Sequence, residues 1–211
     1  MKPTTLPIGT LAGFLLWVGL LGAALFWWSS VSRPISPELK QVLRSQPRLL
    51  QGFSLVDQYQ RPFTDANLRG KWTFLFFGYT YCPDICPTTL GTLKQTLDLL
   101  RKTPQDADDL QVAFVSVDPE RDRTDVLRNY MAYFDKTFIG LTGQRQQIDN
   151  LVAQTGAGYI KEAEQTPGNY LISHSSSLFL INPTGQLVAV FPPPLYPDSI
   201  ASLYRELRAH Y

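Results

Sequence analysis

Apolar and polar residues follow three different patterns along this chain. From Pro3 to Ser32 no charged residue appears, and the 21 residues from Ile8 to Trp28 are almost all Leu, Ala, Gly, Phe and Trp. About 20 such residues make a helix long enough to cross a bilayer core, and Trp27 and Trp28 suit a membrane interface. A cleaved leader fits less well. Its apolar core is usually about 7–15 residues ending in small residues, whereas here Ala23-Ala24 runs on into Leu-Phe-Trp-Trp. Residues 29–50 carry Pro34, Pro37 and Pro47 around a short helical stretch from Glu38 to Leu43 and read as a linker. The expected organisation is a tail over 1–7, a single-pass anchor over 8–28, a linker over 29–50 and a globular domain over 51–211.

Within that domain the pattern shifts between strand and helix periods. Phe53–Asp57 and Arg61–Thr64 flank Asp57-Gln-Tyr-Gln as a hairpin. Lys71–Gly78 and Gln111–Val117 are continuous apolar runs, as in strands buried on both faces. Leu90, Leu93, Leu97 and Leu100 fall at helical spacing over 88–102, as do Val126, Leu127, Tyr130 and Phe134 over 122–134. A short strand at Phe138–Leu141 and a helix over 144–154 follow. Tyr170–Ser173 and Ser177–Asn182 read as strands, the second joined through Asn182-Pro-Thr-Gly185 to Gln186–Phe191 as a hairpin. Residues 197–210 close the chain as an amphipathic helix. Strand–helix–strand–helix followed by a hairpin and a helix predicts an α/β, thioredoxin-like fold with insertions.

Charge narrows the partners. A net charge of +1 over 211 residues, with no dense run of Lys and Arg, argues against nucleic acid. Around the apolar span, Lys2 lies before it and Arg33, Lys40, Arg44 and Arg48 after it. That count would put the C-terminal side in the cytoplasm, although large domains cross largely regardless of charge.

The chemistry concentrates at the chain's two cysteines, in Gly78-Tyr-Thr-Tyr-Cys82-Pro-Asp-Ile-Cys86-Pro87. They follow a buried strand and open a helix, where backbone N–H groups and the helix dipole make a thiol easier to ionise. Two thiolates at i, i+4 converge on one ion if the intervening turn is helical. A plain structural disulfide is the simpler alternative. Closing so short a loop adds only about 2 kcal/mol, however, and a domain of this size has core enough without it.

Of two histidines, His210 is next to last, whereas His174 lies in Tyr170-Leu-Ile-Ser-His-Ser-Ser-Ser177 between two strand signals. A lone histidine is commonly just packed or surface-exposed. In a thioredoxin-like order, though, this loop lies near the first strand–helix junction, where His174 could face Cys82 and Cys86. Two thiolates and an imidazole suit copper, while structural zinc wants a fourth ligand that the sequence does not offer. Asp118-Pro119 reads as the cap and first turn of the next helix; the functional alternative is that Arg121 bears on the thiolates electrostatically, or that Asp118, Arg121 and Asp122 form part of a partner surface.

The segments Phe77–Pro87, Val115-Ser-Val-Asp-Pro-Glu-Arg-Asp122 and the His174-Ser175 loop before Leu178–Gly185 resemble the Sco (SenC-type) copper proteins that help assemble cytochrome c oxidase. The resemblance implies a membrane-anchored metallochaperone holding copper, as Cu(I) or Cu(II), through Cys82, Cys86 and His174. It implies transfer to the dinuclear copper centre of oxidase subunit II or another cuproprotein, from a single-pass anchor in the bacterial plasma membrane with the C-terminal domain in the periplasm. The alternative is a thiol–disulfide oxidoreductase with Cys82 and Cys86 as its redox pair; a peroxidase would need a Thr-x-x-Cys spacing, and Thr80-Tyr-Cys82 is one residue short. The family usually carries Asp before this histidine, where Ser173 stands here. If that Asp tunes the imidazole, affinity or redox behaviour would differ.

Overall fold

Seven consecutive buried residues, Trp72–Gly78, make the strand around which the domain is built. In the computed structural model, which describes residues 17–22, 35–164, 166 and 168–211, the strands are β1 (Leu43–Leu49), β2 (Ser54–Asp57), β3 (Pro62–Thr64), β4 (Trp72–Gly78), β5 (Leu110–Ser116), β6 (Ile139–Thr142), β7 (Tyr159–Lys161), β8 (Ile172–His174), β9 (Leu178–Ile181) and β10 (Gln186–Phe191). The helices are α1 (Pro37–Val42), α2 (Ile85–Arg101), α3 (Pro104–Ala107), α4 (Thr124–Phe134), α5 (Arg145–Thr155) and α6 (Pro197–Arg208). Eight strands form one mixed sheet in the order β1-β10-β9-β4-β5-β6-β2-β3.

Central β4 runs parallel to β5, in register from Trp72↔Leu110 to Gly78↔Ser116, and antiparallel to β9. Its alternate residues divide the core. Trp72 and Phe74 pack edge-on or tilted against Tyr204 of α6, Phe76 meets Phe114 of β5, and Phe77 meets Phe179 of β9. Helix α2 turns Leu90, Leu93, Leu97 and Leu100 inward, all buried, as its spacing predicts. The mixed α/β order agrees with the thioredoxin-like expectation.

Three expectations change. The linker assigned to 29–50 contributes α1 and β1 to the domain, whose compact unit spans Glu38–Tyr211. Leu39 is fully buried, and β1 pairs with β10 from Leu43↔Ala189 to Leu49↔Gln186. Its polar, exposed side chains hide this from a hydrophobicity reading, because an edge strand is held by its backbone. Second, the strand expected at Tyr170–Ser173 is β8, Ile172–His174, and it pairs as a separate two-stranded sheet with β7, a strand the sequence reading did not include. β7 is only three residues long with two exposed, too short to show an alternation. Third, Asp118 does not cap α4, which starts at Thr124 after Arg123 in extended conformation. The Asp118 carboxylate is taken instead by Arg121 and Tyr170.

The expected anchor over 8–28 lies outside the described residues except for 17–22, which are helical. Among the described residues no helix is long and apolar enough to cross a membrane.

Candidate metal centre

β4 delivers the chain to Gly78 at its C-terminal end, and residues 79–84 make an irregular turn before α2 begins at Ile85. Cys82 therefore sits ahead of the helix, its N–H donating to the Tyr79 carbonyl at 3.2 Å. Cys86 is the helix's second residue and fully buried, while Cys82 is half-buried. The two thiols converge through this turn and not through a continuous helical spacing. Both cysteines are free.

β8 ends at His174, whose Nε2 lies 3.2 Å from the Cys86 sulfur. The ligand atoms of Cys82, Cys86 and His174 all lie within 4.8 Å of one another, the one such group of three among the described residues. His210 takes no part, its Nδ1 bonding the Glu206 carbonyl at 2.8 Å. The imidazole packs edge-on against Phe76 and Tyr79, with ring centroids 5.9 Å away in each case.

The proton on this histidine can be assigned. Nδ1 lies 3.1 Å from the Ser175 carbonyl, which only accepts, so Nδ1–H donates. In the neutral ring Nε2 then carries its lone pair toward Cys86. Burial lowers the His174 pKa, with the Ser175 carbonyl opposing it, so the ring is held in the ligand form. Cys86 behaves against expectation. Burial pushes its thiol well up, a hydrogen bond from the Tyr79 backbone N–H opposes this, and nearby Cys82 adds to the rise. Desolvation outweighs the helix terminus, so a bound cation has to displace the Cys86 proton.

Close packing fixes the sulfur. A Cβ added to Gly78 would stand 2.7 Å from both Cys86 Sγ and Phe114 Cε2. Asp122, fully buried, accepts from the Thr80 N–H at 2.9 Å, the Thr80 hydroxyl at 2.6 Å and the Ser116 hydroxyl at 2.6 Å. It thereby ties the cysteine turn to the end of β5, and burial raises its carboxyl despite these bonds. Tyr79 Oη accepts the Ile172 N–H at 3.2 Å, linking the same turn to β8.

Ser173 does not touch the imidazole. It is exposed, its neighbour His174 lies on the other face of β8, and its hydroxyl donates to Glu162 at 2.7 Å. The supporting roles of Gly78, Tyr79 and Tyr170 were not read from the sequence. Gly78, closing an apolar strand just before the cysteines, carried a signal; the tyrosines carried none.

Fold and site together define a thioredoxin-like protein with a dithiol–imidazole group at the end of its central strand, built from two segments whose Cys86 and His174 lie 88 residues apart in the sequence. The SCO1/SenC signature matches residues 41–209, and the chain belongs to that family. It is 34% identical over 176 residues to the mitochondrial SCO2 homolog of Mus musculus, covering 81% of this chain and 69% of that one. It is 32% identical over 194 residues to a SCO2-like protein of Rickettsia felis, covering 90% and 91%. Among solved structures, Arabidopsis thaliana ScoI with copper bound superposes with a TM-score of 0.68 at 34% identity, covering 77% of this chain and 97% of that one. Yeast Sco1 with copper bound gives a TM-score of 0.71 at 32% identity, covering 77% and 90%.

Proposed function

We propose that this chain is a copper carrier that binds one copper ion through Cys82, Cys86 and His174 and passes it on during cytochrome c oxidase assembly. The observation that carries this reading is the 3.2 Å approach of a neutral imidazole nitrogen to the sulfur of Cys86, with Cys82 in the same cluster. Two soft thiolates and one imidazole without a fourth protein donor among the described residues suit Cu(I) better than structural zinc. Copper-bound relatives of the same fold support it.

The copper is cargo. Cys82, the more exposed thiol, is the natural exit: an incoming ligand from the acceptor replaces Cys82 first, then His174 and buried Cys86. The acceptor we propose is the dinuclear copper centre of oxidase subunit II, or another cuproprotein. In this reading residues 8–28 anchor the chain in a bacterial plasma membrane, with the domain in the periplasm.

The test is anaerobic Cu(I) titration of the full chain with X-ray absorption to count ligands. One copper per chain with two sulfurs and one nitrogen is expected, lost in Cys82→Ser and Cys86→Ser and weakened in His174→Ala. Full binding by both serine variants would sink the reading. A thiol–disulfide oxidoreductase could use the same free thiols. It predicts instead rapid exchange in a chain that holds no copper, with His174→Ala without effect.

A further inference from the structure

His174 reaches the cysteines from a small element. β7 and β8 have three residues each and pair only with each other; Ile160 of β7 and Leu171, just before β8, are exposed. An isolated two-stranded sheet is marginal in water, so contacts to the main body must hold His174 in place. On the β7 side they run to α5, where Tyr159 Oη donates to Asp149 at 2.5 Å and accepts from Arg145 at 3.0 Å. The β8 side, which carries the histidine, is held to the main body by Phe76 and Tyr79, by the Tyr170 hydroxyl on Asp118 and Glu120, and by one cation.

That cation is Arg121, whose side chain is only 15% exposed. Its Nε donates to the fully buried Asp118 carboxylate at 2.5 Å. Its Nη1 donates to the Tyr170 carbonyl at 3.0 Å and reaches the Gly168 carbonyl at 3.4 Å. The guanidinium carbon lies 3.6 Å from the Tyr170 ring centroid, 4.8 Å from that of Tyr81 and 5.6 Å from that of Tyr79. Tyr170 closes the loop by donating its hydroxyl to Asp118 at 2.7 Å. Nη2 is buried with no hydrogen-bond partner, so the ring faces are what offset its desolvation.

Tyr79 and Tyr81 belong to the turn that carries Cys82; Gly168 and Tyr170 belong to the segment that carries His174. Arg121 therefore lies in the seam between the two ligand-bearing segments and touches both. We propose that Arg121 is a positioning residue that holds the imidazole of His174 over the cysteine pair. A planar fork with fixed donors can bond a carboxylate and a carbonyl while stacking on aromatic rings; a lysine, a single point charge, cannot do all three. The proposal rests on the copper reading only for its metal readout.

The experiment uses the full chain with Arg121→Lys and Arg121→Met. In metal-free protein, amide hydrogen exchange at residues 159–161 and 172–174 should rise at least about tenfold in both variants while β4 and β5 keep their protection. With Cu(I), both variants should still take one copper through two sulfurs, with the nitrogen contribution reduced and affinity about 10–100-fold weaker. Wild-type exchange rates in Arg121→Met would overturn the proposal. So would wild-type behaviour in Arg121→Lys, because charge alone would then suffice. Protection lost throughout β4 and β5 would also overturn it, making Arg121 a general stability residue. If wild-type protein binds no copper, the copper reading fails, and the exchange measurements still decide the role of Arg121.

Discussion

Adding one methyl group at Gly78 tests whether packing sets the position of the metal centre. The new Cβ would stand 2.7 Å from Cys86 Sγ and from Phe114 Cε2, about 0.8 Å or more short of the roughly 3.5–4.0 Å of ordinary contact. Neither neighbour yields cheaply. Phe114 is fully buried and packed against Phe76 and Tyr130, and Cys86 is fully buried in the first turn of α2. Overpacking of this kind costs about 1–3 kcal/mol, or about 2–4 °C in Tm per kcal/mol for a domain of this size. The Cys86 sulfur would move by several times the ±0.2 Å that metal–ligand distances tolerate. Gly78→Ala should therefore lower the melting temperature of the metal-free chain and weaken Cu(I) binding by at least about tenfold in competition with a chromogenic chelator. Gly78→Ser should do the same. A variant that matches wild type in both melting and affinity would refute the idea that this contact places the sulfur.

Three further outcomes follow from single contacts. Asp135 is driven up by burial but held down more strongly by hydrogen bonds from Arg101 and Thr137, to about 2, against about 3.9 in an unfolded chain. A depressed folded pKa stabilises above the unfolded value, so this contribution is present from about pH 5 upward and is lost as pH falls toward 2. Because Arg101 is 37% exposed, its size is discounted to about 1–1.5 kcal/mol; denaturant titrations of wild type and Asp135→Asn should differ by that amount at pH 6 and converge near pH 2. Ser173→Ala should leave Cu(I) affinity within about twofold and cost at most about 1 kcal/mol, since only an exposed bond to Glu162 is lost; a tenfold change in affinity would contradict the orientation of β8. Leu39→Ala should destabilise the domain by about 2–4 kcal/mol, because this side chain is fully buried, whereas a linker residue would give no change in chemical denaturation.

What could be read from the sequence depended on how far each feature reaches along it. The buried strands at 72–78 and 110–116 announce themselves as apolar runs, and α2 by the spacing of its leucines, because burial selects residue types locally. The cysteine pair was legible for the same reason: ligands and strand end lie within nine residues, Gly78 to Cys86. β1 was missed because an edge strand is held by backbone bonds that impose no side-chain pattern. The cysteine ionisation was misjudged because burial depends on groups distant in sequence, and at Cys86 it outweighs the helix terminus. Tyr170 was hidden likewise, and Arg121, singled out in the sequence only as a charge near the thiolates or part of a partner surface, gave no sign of its contact with the His174 segment. A contact across 49 residues, as from Arg121 to the Tyr170 carbonyl, leaves no local period.

The three donor groups differ in how firmly the fold grips them, and the proposed carrier role calls for that difference. Cys86 is locked between Gly78, Phe114 and the first turn of α2. Cys82 is half-buried on a turn that Asp122 holds through Thr80. His174 rides on a sheet of two three-residue strands, attached to the main body by side-chain bonds from Tyr79, Tyr159 and Tyr170 and by a stacked guanidinium and not by ladder pairing to the main sheet. Equal rigidity in all three would make a closed structural site, with no ligand free to yield to an incoming one. On the proposed carrier reading, the most buried sulfur would anchor the ion, the exposed sulfur would offer the point of attack, and the imidazole would complete the set from an element that opens at low cost. Local opening free energies scale with buried contacts, so β7 and β8 should open far more often than β4. The rate at which copper leaves should then follow the opening of β7 and β8 more closely than global stability.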